Sequence, residues 1–300
     1  MSTTPEVTVM VPVYNRERLV ARCLESVAGQ RTAASYEVLV VDDCSTDATA
    51  EVARTAGARV VSTGRNLGCG GARNVGFAAA AGEWVAFLDS DDWWAPDHLQ
   101  TLLEHAGGVA FVAASALTTV GGRRRVVGNP WPRRLELGRP GDVLAPENVV
   151  AISAAMVRAD VVRRTGGFPV RRFADDLELW TRLLASYPGR VLPDLTVAYG
   201  THGGQVSSDP GMAAGSAELF LELQRRGAIS EGRRRALETI AVWDARPQSW
   251  GRWLARSVAA GRIDPRALAW LLAARAGQRH RWRLQPSRAR LLAERSVVAV

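Results

Sequence analysis

Carboxylates gather at one point of this 300-residue chain. The stretch WVAFLDSDDWW, residues 84 to 94, is an apolar run that ends in Asp89, Asp91 and Asp92. Like charges this close repel one another. Hard carboxylate oxygens bind Mg2+ or Mn2+, often beside substrate phosphates. A cation shared with a nucleoside diphosphate would make Asp89 and Asp91 tolerable together. A solvated turn is the plain alternative.

Three earlier segments carry compatible chemistry. VPVYNRE supplies Pro12, Tyr14 and Asn15; VDDCSTD supplies Asp42, Asp43 and Asp47; NLGCGGARNVG supplies Asn66, Gly68, Gly70, Gly71, Arg73 and Asn74. An aromatic ring can stack on a base, and a carboxylate can accept the base's N–H. Glycines permit close backbone approach to a phosphate-bearing ligand, and Arg73 adds positive charge. Each piece also has a structural reading: Tyr14 as packing, and Asp42-Asp43 as caps for the following helix. The glycine run is not a dinucleotide fingerprint, because Arg73 stands where its third glycine belongs.

The elements that position these segments alternate. Val7–Val11, Glu37–Val41, Ala58–Ser62 and Trp84–Leu88 are apolar, β-branched runs that read as buried strands. Between them, Arg18–Gly29, Thr46–Ala56 and Cys69–Ala81 read as helices, and Pro96 opens another. Such βαβ order predicts an α/β fold with a mostly parallel central sheet flanked by helices. Ligands of such sheets bind at the carboxyl ends of the strands, where all four segments fall. Further along, Gly107–Leu117, Arg123–Val127, Val149–Val157 and Arg190–Tyr199 read as strands, and Asp175–Ser186 as an amphipathic helix. Glu178 and Arg182 have the spacing of a surface i,i+4 pair.

Charge divides the chain. Residues 216–300 hold 17 Arg against 7 Asp or Glu, and residues 1–215 hold 21 against 23, giving +10 and −2 within the overall +8. Lysine is absent, which removes any lysine-based mechanism. A boundary near residue 215 is the one that composition supports. The Arg- and Trp-rich end reads as a packed helical region, with anionic lipid, nucleic acid or an acidic acceptor as other possible partners; no specific nucleic-acid motif is present. Cys23, Cys44 and Cys69 lack metal-type spacing and read as small buried, reduced side chains. Without a signal peptide or an 18-residue apolar run, a cytoplasmic protein is expected, with peripheral membrane contact an option.

In combination, VPVYNRE, VVDDCSTD, NLGCGGARNVG and FLDSDDWW resemble the successive motifs of family 2 inverting glycosyltransferases, which have the GT-A fold. The resemblance continues in GGFPVRRFADDLELWTRL and in YGTHGGQVSSD, covering residues 6 to 208. It implies a GT-A catalytic domain over residues 1–215, with a nucleotide-binding half to about 106 and an acceptor half beyond, followed by a helical extension over 216–300. It implies transfer of a sugar from a nucleoside diphosphate donor, UDP or dTDP, to a hydroxyl or similar nucleophile of an acceptor, assisted by Mn2+ or Mg2+. Pro12, Tyr14, Asn15, Asp42, Gly68, Arg73, Asp89 and Ser90 are then placed at the nucleotide. Asp91, Asp89 and His202 are placed at the metal. The family usually shows Glu-Asp before a Leu-Trp pair. Here ADDLELW has Asp175-Asp176, which puts Asp176 at the position of the general base with Asp175 beside it. Relatives often carry Arg two residues before His202, where this chain has Gly200. A nucleotidyltransferase of related architecture and a nucleotide-sugar-binding partner without turnover are the alternatives; the first normally has a Gly-rich loop where PVYNRE stands.

Overall fold

The computed structural model describes residues 4–120, 123–129, 131–144, 148–201, 212–231, 234 and 286–296. Its N-terminal half follows the alternation of the sequence. Strands β1 (Val7–Val13), β2 (Tyr36–Asp42), β3 (Arg59–Ser62) and β4 (Trp84–Phe87) run parallel in the order β3-β2-β1-β4. Helices α1 (Glu17–Ala28), α2 (Thr49–Thr55) and α3 (Gly68–Ala79) connect them.

The second half makes the sheet mixed. After β5 (Trp93–Trp94) and α4 (His98–Leu103) come β6 (Phe111–Val120), β7 (Arg123–Val127), β8 (Leu135–Leu137), β9 (Ala155–Arg158), α5 (Ala159–Arg164), α6 (Asp175–Leu183) and β10 (Gly189–Ala198). Strand β9 inserts antiparallel between β4 and β6, whereas β10 runs parallel to β6 and antiparallel to β5 and β8. Parallel order therefore holds across β1 to β4 but not throughout.

Residue alternation along the strands builds two cores. In β1, Met10 points to one face with Phe77, Phe87, Phe111 and Trp180, while Val9 and Val11 point to the other with Val20, Leu24, Trp94 and Leu99. Helices α3, α5 and α6 supply the first face, and α1, α2 and α4 the second. Gly76 lets α3 lie on β1, since a Cβ there would meet the Met10 side chain at 2.6 Å.

The run Val149–Val157 does not form one strand. Ile152–Ala154 is a 3-10 turn, and pairing begins only at Ala155. The turn spends Ser153 on the acidic loop: its hydroxyl accepts the Asp89 N–H at 3.1 Å and its carbonyl accepts the Trp94 indole N–H at 2.7 Å. Helix α7 (Met212–Arg225) crosses residue 215 and buries Leu219, Phe220 and Leu223 in the first core. A last described helix, α8 (Pro286–Ser296), packs on β6 and β10. No helix among the described residues is long and apolar enough to cross a membrane.

Candidate active site

The loops after β1, β2, β3 and β4 meet at one end of the sheet. Pro12 is buried within β1, opposite Val41. Tyr14, just beyond the strand, is 45% exposed. Asn15 has a structural task as well. Its backbone is left-handed (φ 52°), its Oδ1 accepts the Thr46 N–H at 2.8 Å, and its own N–H donates to Ser45 Oγ at 3.0 Å. The side chain ties the first loop to the second.

Asp42 ends β2, buried, with Oδ1 accepting the Ser45 N–H at 3.2 Å. Asp43 does cap a helix, but not the one that follows it. Its carboxylate accepts the N–H groups of Leu67 and Gly68, each at 2.8 Å, at the start of α3. Asp47 serves the start of α2 through the Thr49 N–H at 3.0 Å. Both use carboxylates where helices leave amides unbonded.

The glycine run packs against the chain itself. Gly68 sits at φ 73°, a left-handed conformation. A Cβ on Gly70 would stand 2.6 Å from the Pro169 carbonyl oxygen, and one on Gly71 would stand 2.5 Å from Leu67 Cβ. Gly70 and Gly71 thus make room for neighbouring chain. Asn74 holds the same 167–169 loop, accepting the Phe168 N–H at 2.7 Å and donating to its carbonyl at 2.9 Å.

Arg73 is the hub. Its side chain is almost wholly buried. Nη2 donates to Asp89 Oδ1 and Nη1 to Asp175 Oδ2, both at 2.9 Å, and the guanidinium lies 5.2 Å from the Phe168 ring centroid. The two carboxylates hold it protonated against the cost of burial. The N-terminal acidic loop and the start of α6 are thereby joined through one side chain.

Ala174, at φ 57°, turns the chain into α6 so that Asp175 and Asp176 occupy its first turn. Asp175 goes to Arg73. Asp176 Oδ2 accepts from Asn148 Nδ2 at 3.0 Å, and Oδ1 from the Leu177 N–H at 2.7 Å. Asn148 is itself fixed, because its Oδ1 accepts the Val150 N–H at 3.0 Å. That backbone donor settles which end of the amide faces Asp176. Burial, then the neighbouring Asp175 charge, pushes the Asp176 carboxyl up to about 7, with Arg73 opposing. Glu178 and Arg182 do not pair: Glu178 accepts from Arg171 at 2.8 Å, and Arg182 donates to the Gly167 carbonyl.

In the acidic loop, Ser90 and Asp92 are buried and Asp91 is half-buried. Asp92 Oδ1 accepts the Gly200 N–H at 2.8 Å, which pins the exit of β10, while among the described residues Oδ2 has no partner within hydrogen-bond geometry. Burial first, then Asp91 and Asp89, pushes the Asp92 carboxyl well above the ordinary range. Burial also raises Asp89, with Arg73 opposing. Carboxyls crowded in this way resist ionisation unless a cation stands beside them to favour the charged form. Hard oxygen donors in that state fit a divalent cation. Among the described residues no three His, Cys, Asp or Glu side chains form a self-sufficient metal site, so a cation here would draw ligands from elsewhere too. His202 lies outside the described residues. Cys23 is buried as expected, but Cys44 and Cys69 are exposed.

Asn148, Ser153, Asp43 and Asp92 thus join the site without having been singled out for these contacts. Asn148 follows a Pro- and Gly-rich loop, and nothing local ties it to Asp176, 28 residues away.

The chain is similar to known proteins in sequence and in fold. Succinoglycan biosynthesis protein ExoO of Rhizobium meliloti is 48% identical over 105 residues, covering 34% of this chain and 30% of that protein. Glycosyltransferase AglE of Haloferax volcanii is 31% identical over 193 residues, 60% of this chain and 62% of that one. The chain thus matches under a third of ExoO and less than two thirds of AglE. In fold, it superposes on S. aureus TarS, residues 1–349 in complex with UDP-GlcNAc, with a TM-score of 0.62 at 22% identity, covering 93% and 89% of the two chains. A mannosyltransferase of Pyrobaculum calidifontis, in complex with GDP-Man and Mn2+, gives 0.51 at 22% identity over 97% and 86%. The sequence model of glycosyl transferase family 2 matches residues 8–165, more than half of the chain, and the chain belongs to that family.

Proposed function

We propose that the protein is an inverting glycosyltransferase that moves a sugar from a nucleoside diphosphate sugar to a hydroxyl of an acceptor, with Asp176 as general base. The observation that carries this is the unequal treatment of two adjacent carboxylates. Arg73 engages Asp175 at 2.9 Å, while among the described residues Asp176 is met by the neutral donors Asn148 and the Leu177 N–H, and its pKa is raised to about 7. A base that titrates near neutrality is matched to taking a hydroxyl proton as the glycosidic bond forms.

Tyr14 and Asp42 suit the nucleoside: an exposed ring beyond β1 and a carboxylate at the adjacent end of β2. UDP is the favoured nucleotide, because TarS is seen with UDP-GlcNAc and with UDP. GDP is the competing reading, from the mannosyltransferase. Asp91, with Asp89, would hold Mn2+ or Mg2+. The cation would supply Lewis-acid charge to the leaving diphosphate. Arg73 fixes Asp89 and Asp175 relative to each other. Asn148 orients the Asp176 carboxylate and leaves its remaining lone pairs to the acceptor. The basic region 216–300 is read as a packed helical region; peripheral contact with anionic lipid is the competing reading, which liposome flotation at low and high salt would test.

Asp176→Asn keeps the size and an acceptor oxygen but cannot take a proton. The expected loss in kcat is on the order of 10²- to 10⁴-fold with donor binding retained. Full turnover by this variant would remove Asp176 as base. Failure of the wild-type chain to turn over any nucleotide sugar would favour a binding partner.

A further inference from the structure

The far C-terminus returns to the acidic loop. In α8, Leu292 and Ala293 are buried in a cluster with Ala95, Leu117, Val126, Leu195 and Ala198, against which Trp93 packs. The next two residues make directed contacts. The Arg295 guanidinium lies 5.2 Å from the centroid of the Trp93 ring, and its backbone carbonyl accepts from Arg22 of α1. Ser296 Oγ lies 2.9 Å from Thr119 Oγ1, and the Ser296 carbonyl accepts the Thr201 N–H at 3.2 Å.

These contacts fall on the two segments that flank Asp91 and Asp92. Trp93 follows them directly and pairs with Ala198 of β10. Thr201 follows Gly200, whose N–H is held by Asp92. So Asp92 grips the exit of β10 from the acidic loop, and α8 grips both the loop and that exit from outside. Packing alone would require only Leu292 and Ala293. The cation–π contact and the Thr201 bond add direction, and both act on backbone next to the acidic residues.

We propose that α8 is a positioning element of the donor site: through Arg295 on Trp93 and Ser296 on Thr201 it holds the acidic loop and the β10 exit in the arrangement that binds the nucleoside diphosphate end of the donor. The inference rests on the nucleotide-sugar reading above. It gives the C-terminal helix a role in donor affinity that residues 286–296 do not announce in sequence. Arg295 need not touch the donor; it acts through Trp93.

Full-length Arg295→Ala, Arg295→Lys and Ser296→Ala variants test this by two measurements. The first is amide hydrogen exchange over residues 89–95 and 197–201. The second is the dissociation constant of UDP in the presence of Mn2+, followed by the donor KM and kcat. Arg295 is exposed, so its variants fold. Arg295→Ala should speed exchange in both segments and raise the UDP dissociation constant and donor KM about three- to tenfold, with kcat nearly unchanged; Ser296→Ala keeps the backbone carbonyl that accepts the Thr201 N–H and removes the hydroxyl contact with Thr119, so it should change both measurements much less. Arg295→Lys, which keeps a cation over the ring, should recover much of the loss. Arg226→Ala removes the same charge from an exposed pair with Glu222 and should change neither measurement. Unchanged exchange in Arg295→Ala, or faster exchange with unchanged UDP affinity, overturns the proposal and leaves α8 as packing. A wild-type chain that binds neither UDP nor GDP with Mn2+ defeats the nucleotide reading instead, and the exchange comparison still decides whether α8 orders the loop.

Discussion

Arg73 and Asp175 stand 102 residues apart in the chain and meet at 2.9 Å, both largely shielded from water. Through this contact the helix that follows β3 fixes the start of the helix that carries Asp176. A buried guanidinium bonded to Asp89 as well cannot be removed without leaving two carboxylates short of their partner. Breaking a buried ion pair from one side costs about 3–5 kcal/mol. Arg73→Met should therefore lower the unfolding free energy obtained from urea titration by about 3–5 kcal/mol. A loss below about 1 kcal/mol would mean that water or another cation replaces the guanidinium.

The proton affinity of Asp176 predicts a pH profile. Only the ionised carboxylate can accept a proton, so kcat/KM should fall as pH drops below about 7 and level off above it. Asn148 donates to that carboxylate and favours its charged form. Asn148→Ala should therefore move the acid limb to higher pH, and Asn148→Asp should move it further by placing a second carboxyl alongside. A wild-type profile flat from pH 5 to 8 would exclude Asp176 as base.

Stability should carry the same signature with a defined sign. The folded pKa of Asp176 is raised above its unfolded value of about 4. The protonated group's contribution is thus fully present below about pH 4 and is lost as pH rises through about 7. Asp176→Asn lacks that loss. Its melting temperature relative to wild type should rise between pH 5 and pH 8; a difference independent of pH would show that Asp176 titrates normally.

The acidic loop predicts dependence on a divalent cation. Chelation with EDTA should abolish transfer, Mn2+ or Mg2+ should restore it, and Asp91→Asn should raise the concentration of cation required. Full activity in chelator would remove the cation from the reaction.

Two neighbouring aspartates should behave differently. Asp42→Ala should weaken the rise in melting temperature produced by UDP while costing little stability. Asp43→Ala strands the Leu67 and Gly68 amides and should cost about 1–2 kcal/mol. A larger stabilisation by GDP than by UDP or dTDP would overturn the pyrimidine assignment.

Much of this molecule is written locally. Buried strands at β1, β2 and β4 follow from continuous apolar runs, and the intervening helices from their spacing, so the parallel half of the sheet and the gathering of four polar loops at one end are legible without coordinates. The acidic run and the Asp175-Asp176 pair are also visible, because their chemistry lies in residue type and close spacing. Partner choice is not. Asp43 reads as a cap for the helix after it and instead serves the start of α3; the close approach of Gly70 to the Pro169 carbonyl has no signal in the sequence. Residue type does not tell Asp175 from Asp176, and only the family resemblance points to the second; their environments differ because Arg73 arrives beside one and Asn148 beside the other. The antiparallel entry of β9, with Ser153 turned toward the acidic loop, likewise depends on what lies across the sheet. Local pattern sets which residues can form an element or do chemistry. Which carboxylate is neutralised, and which is left to titrate near neutrality, is decided by charges and amides that only the folded chain brings within a few ångströms.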